Sequence, residues 1–373
     1  MNKDTSKRKI IIVIVAAVVV AGILSAVLIP TVFVPNAKYN AAVELYKTGK
    51  FDEAIEAFKA LNGYRDSKEQ IEKCETGILD AKYEAALELY KTGKYDEAIA
   101  AFKALNGYKD SEEQIKKCET GIIDAKYEAA LELLKAGKYE EAYMAFISLD
   151  YKDSADKADE CLFEEQKASL KDITVNSVIK FGYYEQDNDT TNGKEEIEWI
   201  VLYINSQENK ALVISRYALD CLQFDEYYTT KAEVRWEGCT LRKWLNETFI
   251  NEAFGPHHQE MILNSNVTAD GNPNYGSVFG NDTVDKVFLL SIKEANTYFS
   301  SNEARICRGT EYCNAHGPFK DEKGNCWWWL RTVGSRGNYS ANVYWDGVIN
   351  VIGYNVLAEQ GCVRPAFWIN LGK

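Results

Sequence analysis

The sequence predicts a multidomain protein with three parts: an N-terminal transmembrane helix, an all-α repeat solenoid and an α+β C-terminal domain. Three observations support this fold class. Residues 10–34 form a 25-residue run without a charged side chain, residues 37–168 repeat with a period of 44, and residues 171–373 carry mixed strand and helix signals. A short basic stub, residues 1–9, precedes the uncharged run.

The uncharged run is long enough to cross a bilayer, because about 20 apolar helical residues span a hydrocarbon core of ~30 Å. The alternative is a cleaved signal peptide, whose apolar region has about 7–15 residues and ends at a small-x-small site. Val34-Pro35-Asn36-Ala37 does not match such a site. Lys7, Arg8 and Lys9 lie directly before the run. The positive-inside rule therefore predicts a single-pass protein of the cell membrane, with a cytoplasmic N-terminus and residues 37–373 outside the cell.

The charge distribution excludes one class of partner. The 373 residues have a net charge of −13, which divides into +3 for residues 1–9, −9 for residues 37–170 and −7 for residues 171–373. A nucleic-acid-binding surface needs a basic face that neutralises phosphates. Because both large segments are acidic, we expect no nucleic-acid partner.

The repeat is nearly perfect in its first two copies. Residues 37–80 and 81–124 are identical at 36 of 44 positions, and the third copy, which begins at Ala125, has diverged. In the second copy, apolar residues recur at spacings of three and four on both sides of Gly93. This pattern predicts two amphipathic helices, with a break between them at Gly93. Ser111-x-x-Gln114 has the pattern of a capping box. The predicted unit is a long helix followed by a short one.

The segment Gly93-Lys94-Tyr95-x-x-Ala98-Ile99-x-x-Phe102 resembles the tetratricopeptide repeat. That resemblance implies a helical array, and such arrays commonly bind peptides in a groove. A spacer is the alternative interpretation, since two almost identical copies are typical of a recent duplication of length. We expect a stalk, with a peptide or protein partner on the repeats as the second hypothesis.

The nine cysteines fall into two groups. Cys74, Cys118 and Cys161 occupy the same position in successive repeats, on the apolar stripe, and are predicted to be buried small residues. Six more lie in the C-terminal domain and could form up to three disulfides of unspecified connectivity. Cys307, Cys313, His316 and Cys326 could instead form a zinc cluster, but they lack the closely spaced Cys pairs of common zinc sites. We expect no metal and no cofactor.

Strand signals begin after Lys171. Two helices follow: one carries an apolar stripe from Leu241 to Ala253, and Ser291-x-x-Glu294 is predicted to cap the other. Asp346-Gly347 is a two-residue hairpin signal between further strands. Strands, then helices, then strands are typical of an α+β domain. The predicted strands are Val175–Phe181, Ile197–Ile204, Lys210–Ser215, Trp327–Arg331, Asn342–Trp345, Val348–Ile352 and Cys362–Asn370.

Several blocks of this domain resemble the bacterial family called domain of unknown function 6273. They include residues 197–202, 214–221, 241–246 and 285–291, with Trp328-Trp329-Leu330-Arg331 and Val363-Arg364-Pro365-Ala366. This family implies no reaction. The domain also has a more distant resemblance to the C-type-lectin-like fold. This resemblance rests on two helices, the terminal strands and the segment Gly361-Cys362-Val363-Arg364 near the end of the domain. The calcium motifs of sugar-binding lectins and the signature of the sulfatase-modifying branch are absent.

No catalytic group can be assembled from the sequence. The chain has three histidines, two of which are the loop pair His257-His258. No Ser/His/Asp, Cys/His or paired-carboxylate arrangement stands out. We therefore predict that the protein is not an enzyme; an uncharacterised enzyme of the cell surface is kept as an alternative.

The aromatic residues near the C-terminus give the candidate site. In a strand, side chains alternate between faces, so Trp327, Trp329 and Arg331 share one side while Trp328 shares the other with Leu330. One face is expected to pack on the core, which leaves an aromatic and cationic surface for a sugar ring or a peptide. The alternative is that a second layer or a long loop covers that face and that Arg331 and Arg364 pair with buried acids such as Asp346.

The resulting prediction is a membrane-anchored bacterial surface protein whose C-terminal domain binds an extracellular glycan or protein without calcium, while the repeats act as a stalk. A repeat scaffold with a structural C-terminal domain is the alternative. The candidate ligand-binding residues are Trp327, Trp329, Arg331, Tyr344 and Trp345; the candidate structural residues are Trp199, Trp328, Arg364 and Trp368.

Overall fold

The computed structural model describes residues 16–17, 19–23, 34–226, 233–277 and 279–372. The chain divides into two compact units, residues 1–129 and residues 130–373. Each unit is built around its own buried side chains. The fold is a helical region followed by a C-terminal α+β domain.

The predicted transmembrane helix is the part of the fold class that requires correction. Among the residues that the structure describes, no helix combines the length and the apolar character needed to cross a bilayer. Most of the run at residues 10–34 lies outside the described residues, which include only 16–17, 19–23 and 34 of it.

The helical region alternates long and short helices. Within residues 34–168 the helices are α1 Val34–Lys47, α2 Phe51–Lys59, α3 Ser67–Lys91, α4 Tyr95–Lys103, α5 Ser111–Lys135, α6 Tyr139–Ile147 and α7 Ser154–Ala168. Helices α3 and α5 each have 25 residues, whereas α2, α4 and α6 have nine. The sequence pattern of a long helix followed by a short one is therefore present in the structure.

Short helices pack closely on long ones at two glycines. A Cβ at Gly77 would lie 2.6 Å from the ring of Phe51, and one at Gly121 would lie 2.6 Å from the ring of Tyr95. These glycines are 44 residues apart, so the first two repeats use the same contact. Only a residue without a side chain leaves room for the aromatic ring here.

A tyrosine–aspartate hydrogen bond also repeats. The hydroxyls of Tyr39 and Tyr83 donate to Asp66 and Asp110, respectively. The amide of Gln114 donates to the second oxygen of Asp110 at 2.8 Å. The predicted capping box at Ser111 and Gln114 is therefore wrong: Ser111 lies inside the helix and its hydroxyl donates back to the carbonyl of Tyr108.

The C-terminal domain has two main sheets. The first has the order β1-β2-β3-β13 and the second has the order β11-β10-β9-β12-β4, in which β12 and β9 are parallel. The strands of these sheets are β1 Val178–Tyr184, β2 Glu195–Asn205, β3 Lys210–Ser215, β4 Asp220–Cys221, β9 Trp328–Val333, β10 Tyr339–Val343, β11 Ile349–Asn355, β12 Cys362–Val363 and β13 Ala366–Asn370.

Two short strand pairs and six short helices complete the described part of the domain. The pairs are β5 Ser265–Val267 with β6 Thr283–Asp285, and β7 Cys307–Arg308 with β8 Asn325–Cys326. The helices are α8 Thr240–Trp244, α9 Ile250–Ala253, α10 Pro256–Met261, α11 Ile292–Tyr298, α12 Asn302–Arg305 and α13 Glu311–Ala315, with a π-helical turn Leu245–Phe249 between α8 and α9. The predicted capping box of Ser291 and Glu294 is confirmed at the start of α11.

Helix α7 is fixed to β1 within the second unit by one glutamine. The Gln166 Oε1 atom accepts hydrogen bonds from the Gly182 amide and from His258 Nε2, both at 3.0 Å, and its Nε2 donates to Glu196 at 2.9 Å. The ring of Phe163 on the same helix stacks on His257. These contacts bury the imidazole of His258.

Candidate functional site

Trp327 directly precedes β9, and Trp329 lies on it. Their side chains lie on the same side of the strand, as the alternation of side chains predicts, and their ring centroids are 4.7 Å apart. That side is not an open surface. Trp329 is fully buried, its indole N–H donates to the carbonyl of Leu222 at 2.9 Å, and Phe224 packs on its ring. The backbone of Gly361 closes over the same indole, where a Cβ would overlap it. Trp329 is therefore a core residue in this structure.

Arg331 is also buried, and its guanidinium is fully engaged. It donates to the backbone carbonyls of Leu289 and Thr268 and forms an ion pair with Glu294, with Asp270 at 3.7 Å. Buried charges in folded proteins are paired in this way. The alternative of a covered face therefore describes Trp329 and Arg331. The acids that pair with Arg331 are Glu294 and Asp270 rather than Asp346, which is exposed.

The four candidate structural residues lie in or against the core. Trp199 and Trp328 are fully buried, and their indoles donate to the carbonyls of Phe181 and Arg305, respectively. Trp368 is half-buried against the core. Arg364 is buried and donates to the carbonyl of Ser215 at 2.8 Å.

The remaining candidates lie in a group of rings at the end of the second sheet. Tyr344 and Trp345 are half-buried, with ring centroids 5.3 Å apart. Trp345 contacts exposed Phe319 at 5.0 Å, and Trp327, which is itself buried, contacts exposed Tyr354 at 5.3 Å. Tyr354 is also close enough to raise the pKa of Tyr344. These five residues are called the aromatic surface below.

A tight hairpin positions the centre of the aromatic surface. The amide of Tyr344 donates to Val348, and the amide of Gly347 donates to Tyr344, both at 2.9 Å. Three residues, Trp345 to Gly347, therefore form the loop where the sequence predicts two. Gly347 has a φ of +82°, and a Cβ there would overlap the backbone of Asn302. Since only glycine fits both conditions, the hairpin fixes Trp345 in place.

The rings of the aromatic surface are suited to a ligand with both apolar and polar groups. Neighbouring rings are tilted by 45–49°, so they form an angled cradle rather than a flat platform. Burial, followed by Asp346 and Tyr354, raises the pKa of Tyr344, so its hydroxyl keeps its proton at neutral pH and can donate a hydrogen bond. Asp346 is exposed beside it and offers an acceptor.

Sequence reasoning missed an acidic cleft. Three carboxylate oxygens, one from each of Glu185, Asp187 and Glu195, lie within 4.8 Å of one another. They are in or beside a cavity of about 620 Å³. Burial, and then Glu195, raises the pKa of Glu185, whereas a hydrogen bond from Asn192 lowers the pKa of Asp187. Such oxygen atoms are the ligand type that Ca²⁺ and Mg²⁺ prefer. The spacing Glu185-x-Asp187 directly after β1 is the signal that could have identified them.

Among the described residues, His316 does not form a metal-ligand group with Cys307, Cys313 or Cys326. Its Nδ1 bonds to the buried carboxylate of Asp220 at 2.7 Å, and the hydroxyl of Tyr184 donates to the same carboxylate at 3.1 Å. A carboxylate that orients an imidazole is a frequent part of catalytic sites. Within the described ranges, no serine, threonine or cysteine side chain hydrogen-bonds to this imidazole.

The fold and site define a class: a helical region followed by an α+β domain that carries a partly exposed group of aromatic rings. Residues 208–371, from β3 to β13, match the family described as Domain of unknown function (DUF6273). This match confirms the family resemblance for that segment, while β1 and β2 lie outside it. Neither a curated protein nor a solved structure matches the chain. The resemblances to the tetratricopeptide repeat and to the C-type-lectin-like fold stay predictions.

Proposed function

We propose that the α+β domain is a non-enzymatic ligand-binding module and that its ligand, a glycan or a protein, contacts the aromatic surface. The observation that carries this proposal is the exposure of Phe319 and Tyr354 beside the half-buried rings of Tyr344 and Trp345. Tyr354 lies on β11 of the hairpin, and an exposed aromatic group on a rigid hairpin loses little conformational entropy on binding, which favours its use in recognition.

The two ligand classes are supported by different neighbours. Asp346 and the Tyr344 hydroxyl offer an acceptor and a donor next to stacking rings, which is the combination that a sugar requires. Val348, Ile352 and Leu357, on the same hairpin and the segment after it, are exposed apolar residues. An exposed group of apolar and aromatic side chains also favours a protein partner.

The repeats are proposed to act as a spacer for this module. The near identity of the first two copies favours this role, since a groove tailored to a peptide would differ between copies. A scaffold whose repeats bind a protein partner is the second candidate. An extracellular location of residues 37–373 belongs to the proposal as well, and it is tested by adding protease to intact cells.

The test is a binding screen with the purified full chain against immobilised cell-wall polysaccharides, a glycan array and proteins extracted from cell surfaces. Trp345→Ala removes the central ring. Tyr203→Ala is the matched control, because Tyr203 is an exposed aromatic residue on β2, in the other main sheet. We expect Trp345→Ala to weaken binding at least about tenfold, in the range of a binding hot spot, and Tyr203→Ala to leave it unchanged.

Two results would overturn the proposal. Equal binding by wild type and Trp345→Ala would remove the aromatic surface from the site, and binding that a chelator abolishes would show that a cation, absent from this proposal, is required. Retention on polysaccharide or on protein decides between the two ligand classes. Binding by residues 37–129 alone would favour the scaffold.

A further inference from the structure

Five of the six cysteines of the C-terminal domain converge at one place in the core. They come from five different elements, which the sequence alone could not bring together. All five are buried thiols. They are Cys221 on β4, Cys307 on β7, Cys313 on α13, Cys326 on β8 and Cys362 on β12.

Two pairs of these cysteines are directly opposite each other on antiparallel strands. Cys307 faces Cys326 across β7 and β8, and Cys221 faces Cys362 across β4 and β12. Directly opposite residues have Cα atoms about 4.5–5.5 Å apart. Disulfides need Cα separations of about 4.4–6.8 Å, so both pairs can be bridged without moving the strands.

The fifth cysteine gives Cys362 a second partner. The Sγ atoms of Cys313 and Cys362 are 3.9 Å apart. Cys362 also interacts with the thiols of Cys221 and Cys326. Cys362 is therefore the centre of the group, with three other thiols around it.

This arrangement is not that of a metal centre. A metal ion needs its sulfur ligands around a common point, close to one another. Among the described residues, no set of three cysteines brings its sulfur atoms within 4.8 Å of one another. The thiols surround the sulfur of Cys362 instead, which is the geometry for exchange of bonding partners.

A buried positive charge lies beside the group. Arg364 donates to backbone carbonyls and forms no ion pair with a carboxylate of the described residues. Hydrogen bonds from Cys307 and Cys362, with a contribution from Arg364, hold the pKa of Cys326 well below its usual range. Burial raises the pKa of Cys307. The thiolate is the attacking form of cysteine in disulfide exchange, so Cys326 is the nucleophile of the pair.

We propose that these five cysteines form a thiol–disulfide site, in which oxidation joins Cys307 to Cys326 and joins Cys362 to either Cys221 or Cys313. The oxidant is a small-molecule disulfide, which reaches the fully buried Cys326 when the pair of strands β7 and β8 opens locally. The Cys326 thiolate attacks one of its sulfurs and expels a thiolate, and Cys307, after losing its proton, then attacks Cys326 and expels the second. Each protein disulfide releases two protons and two electrons, which convert the small disulfide to two thiols.

The second bond can exchange without further oxidation. When Cys221 and Cys362 are joined, the neighbouring Cys313 thiolate attacks the sulfur of Cys362 and releases the Cys221 thiolate. One bond forms and one breaks, so the number of disulfides is unchanged. Cys221 is the least buried of the five, at 6% exposure, and is the expected point of contact with external thiols.

The test is disulfide mapping of the full chain, equilibrated with oxidised and reduced glutathione both in the folded state and during refolding, then alkylated and digested. We expect two disulfides, Cys307–Cys326 and a mixture of Cys221–Cys362 and Cys313–Cys362. Cys74, Cys118, Cys161 and Cys239 are internal controls, because they lie outside the group, and should remain thiols.

Two variants test the exchange. Cys221→Ser should move the second bond entirely to Cys313–Cys362, and Cys313→Ser should move it to Cys221–Cys362, with circular dichroism to verify folding. Wild-type protein that remains fully reduced under both conditions would overturn the proposal. A mapped Cys326–Cys362 bond, a bond to a control cysteine, or a stoichiometric metal ion in the purified chain would overturn it as well.

Discussion

Glu294 balances the charge of Arg331, which is almost completely buried. Replacing Glu294 by Gln keeps the size of the side chain but leaves the guanidinium with only the more distant Asp270. Removing one member of a buried ion pair is strongly destabilising, so we expect the free energy of unfolding to fall by about 3 kcal/mol. Urea denaturation measures this change.

A matched control is Glu247→Gln. Glu247 pairs with Lys243 on the surface, where both side chains are more than half exposed, and loss of such a pair changes stability by less than about 1 kcal/mol. Equal effects of the two substitutions would contradict the assignment of Arg331 to the core.

The imidazole of His258 predicts a pH dependence of stability. Burial, with a smaller effect of His257, lowers its pKa from 6.5 to about 4. Between these values the unfolded chain binds a proton that the folded chain does not, so stability is fully present above pH 6.5 and decreases as the pH falls towards 4. The decrease is at most about 3 kcal/mol.

Denaturation curves recorded between pH 4 and 7 check this prediction. In His258→Gln, the amide can still donate to Gln166, but no group titrates at this position. The variant should therefore lose this part of the pH slope. An unchanged slope would show that other groups cause it.

At the scale of residues, the sequence predicts which side chains share a strand face but not what covers that face. The alternation correctly groups Trp327 with Trp329. Trp329 is covered by Leu222 and Phe224, which lie more than 100 positions earlier in the sequence. Contacts of this kind depend on the whole topology, so local periodicity cannot reveal them.

At the scale of elements, the tyrosine–aspartate bond of the first two repeats joins the beginning of the repeat to the turn before the next long helix. Tyr83→Phe removes the hydroxyl that donates to Asp110 and should lower the free energy of unfolding by about 1–2 kcal/mol. Tyr39→Phe should have the same effect through Asp66. Thermal or urea unfolding measures both, with Tyr90→Phe as the control on the same helix as Tyr83.

The hydrogen bond between Tyr83 and Asp110 also predicts a loss of stability at alkaline pH. The hydrogen bond to Asp110, with burial, raises the pKa of Tyr83 from 10 to about 12. Its contribution is therefore complete below pH 10 and is lost as the pH rises from 10 to 12. A Tyr83→Phe variant that matches wild type at pH 8 would contradict the role of the bond.

Element boundaries follow the sequence where the signal is local. The strand Lys210–Ser215 and the cap at Ser291 were predictable from composition and spacing. The predicted strand Cys362–Asn370 is two strands in two different sheets, because Arg364 and Pro365 turn the chain between them. The apolar pattern continues across this break, since both sheets are buried.

At the scale of the whole molecule, the acidic charge and the repeat period were readable directly, whereas the aromatic surface was predictable only in part. The predicted residues Trp327, Tyr344 and Trp345 are in it, whereas Phe319 and Tyr354 join it through tertiary contacts that the sequence does not reveal. The cysteine group needed the topology as well, because its members lie up to 141 positions apart.

The central claim is that the α+β domain binds its ligand on the aromatic surface. Hydroxyl-radical footprinting of the full chain, with and without the ligand retained in the screen, tests it most directly. Protection from oxidation should be concentrated at Phe319, Tyr344 and Trp345, with Tyr203 unchanged. Protection that leaves these three residues unchanged and appears instead at the acidic cleft or on the repeats would contradict the claim.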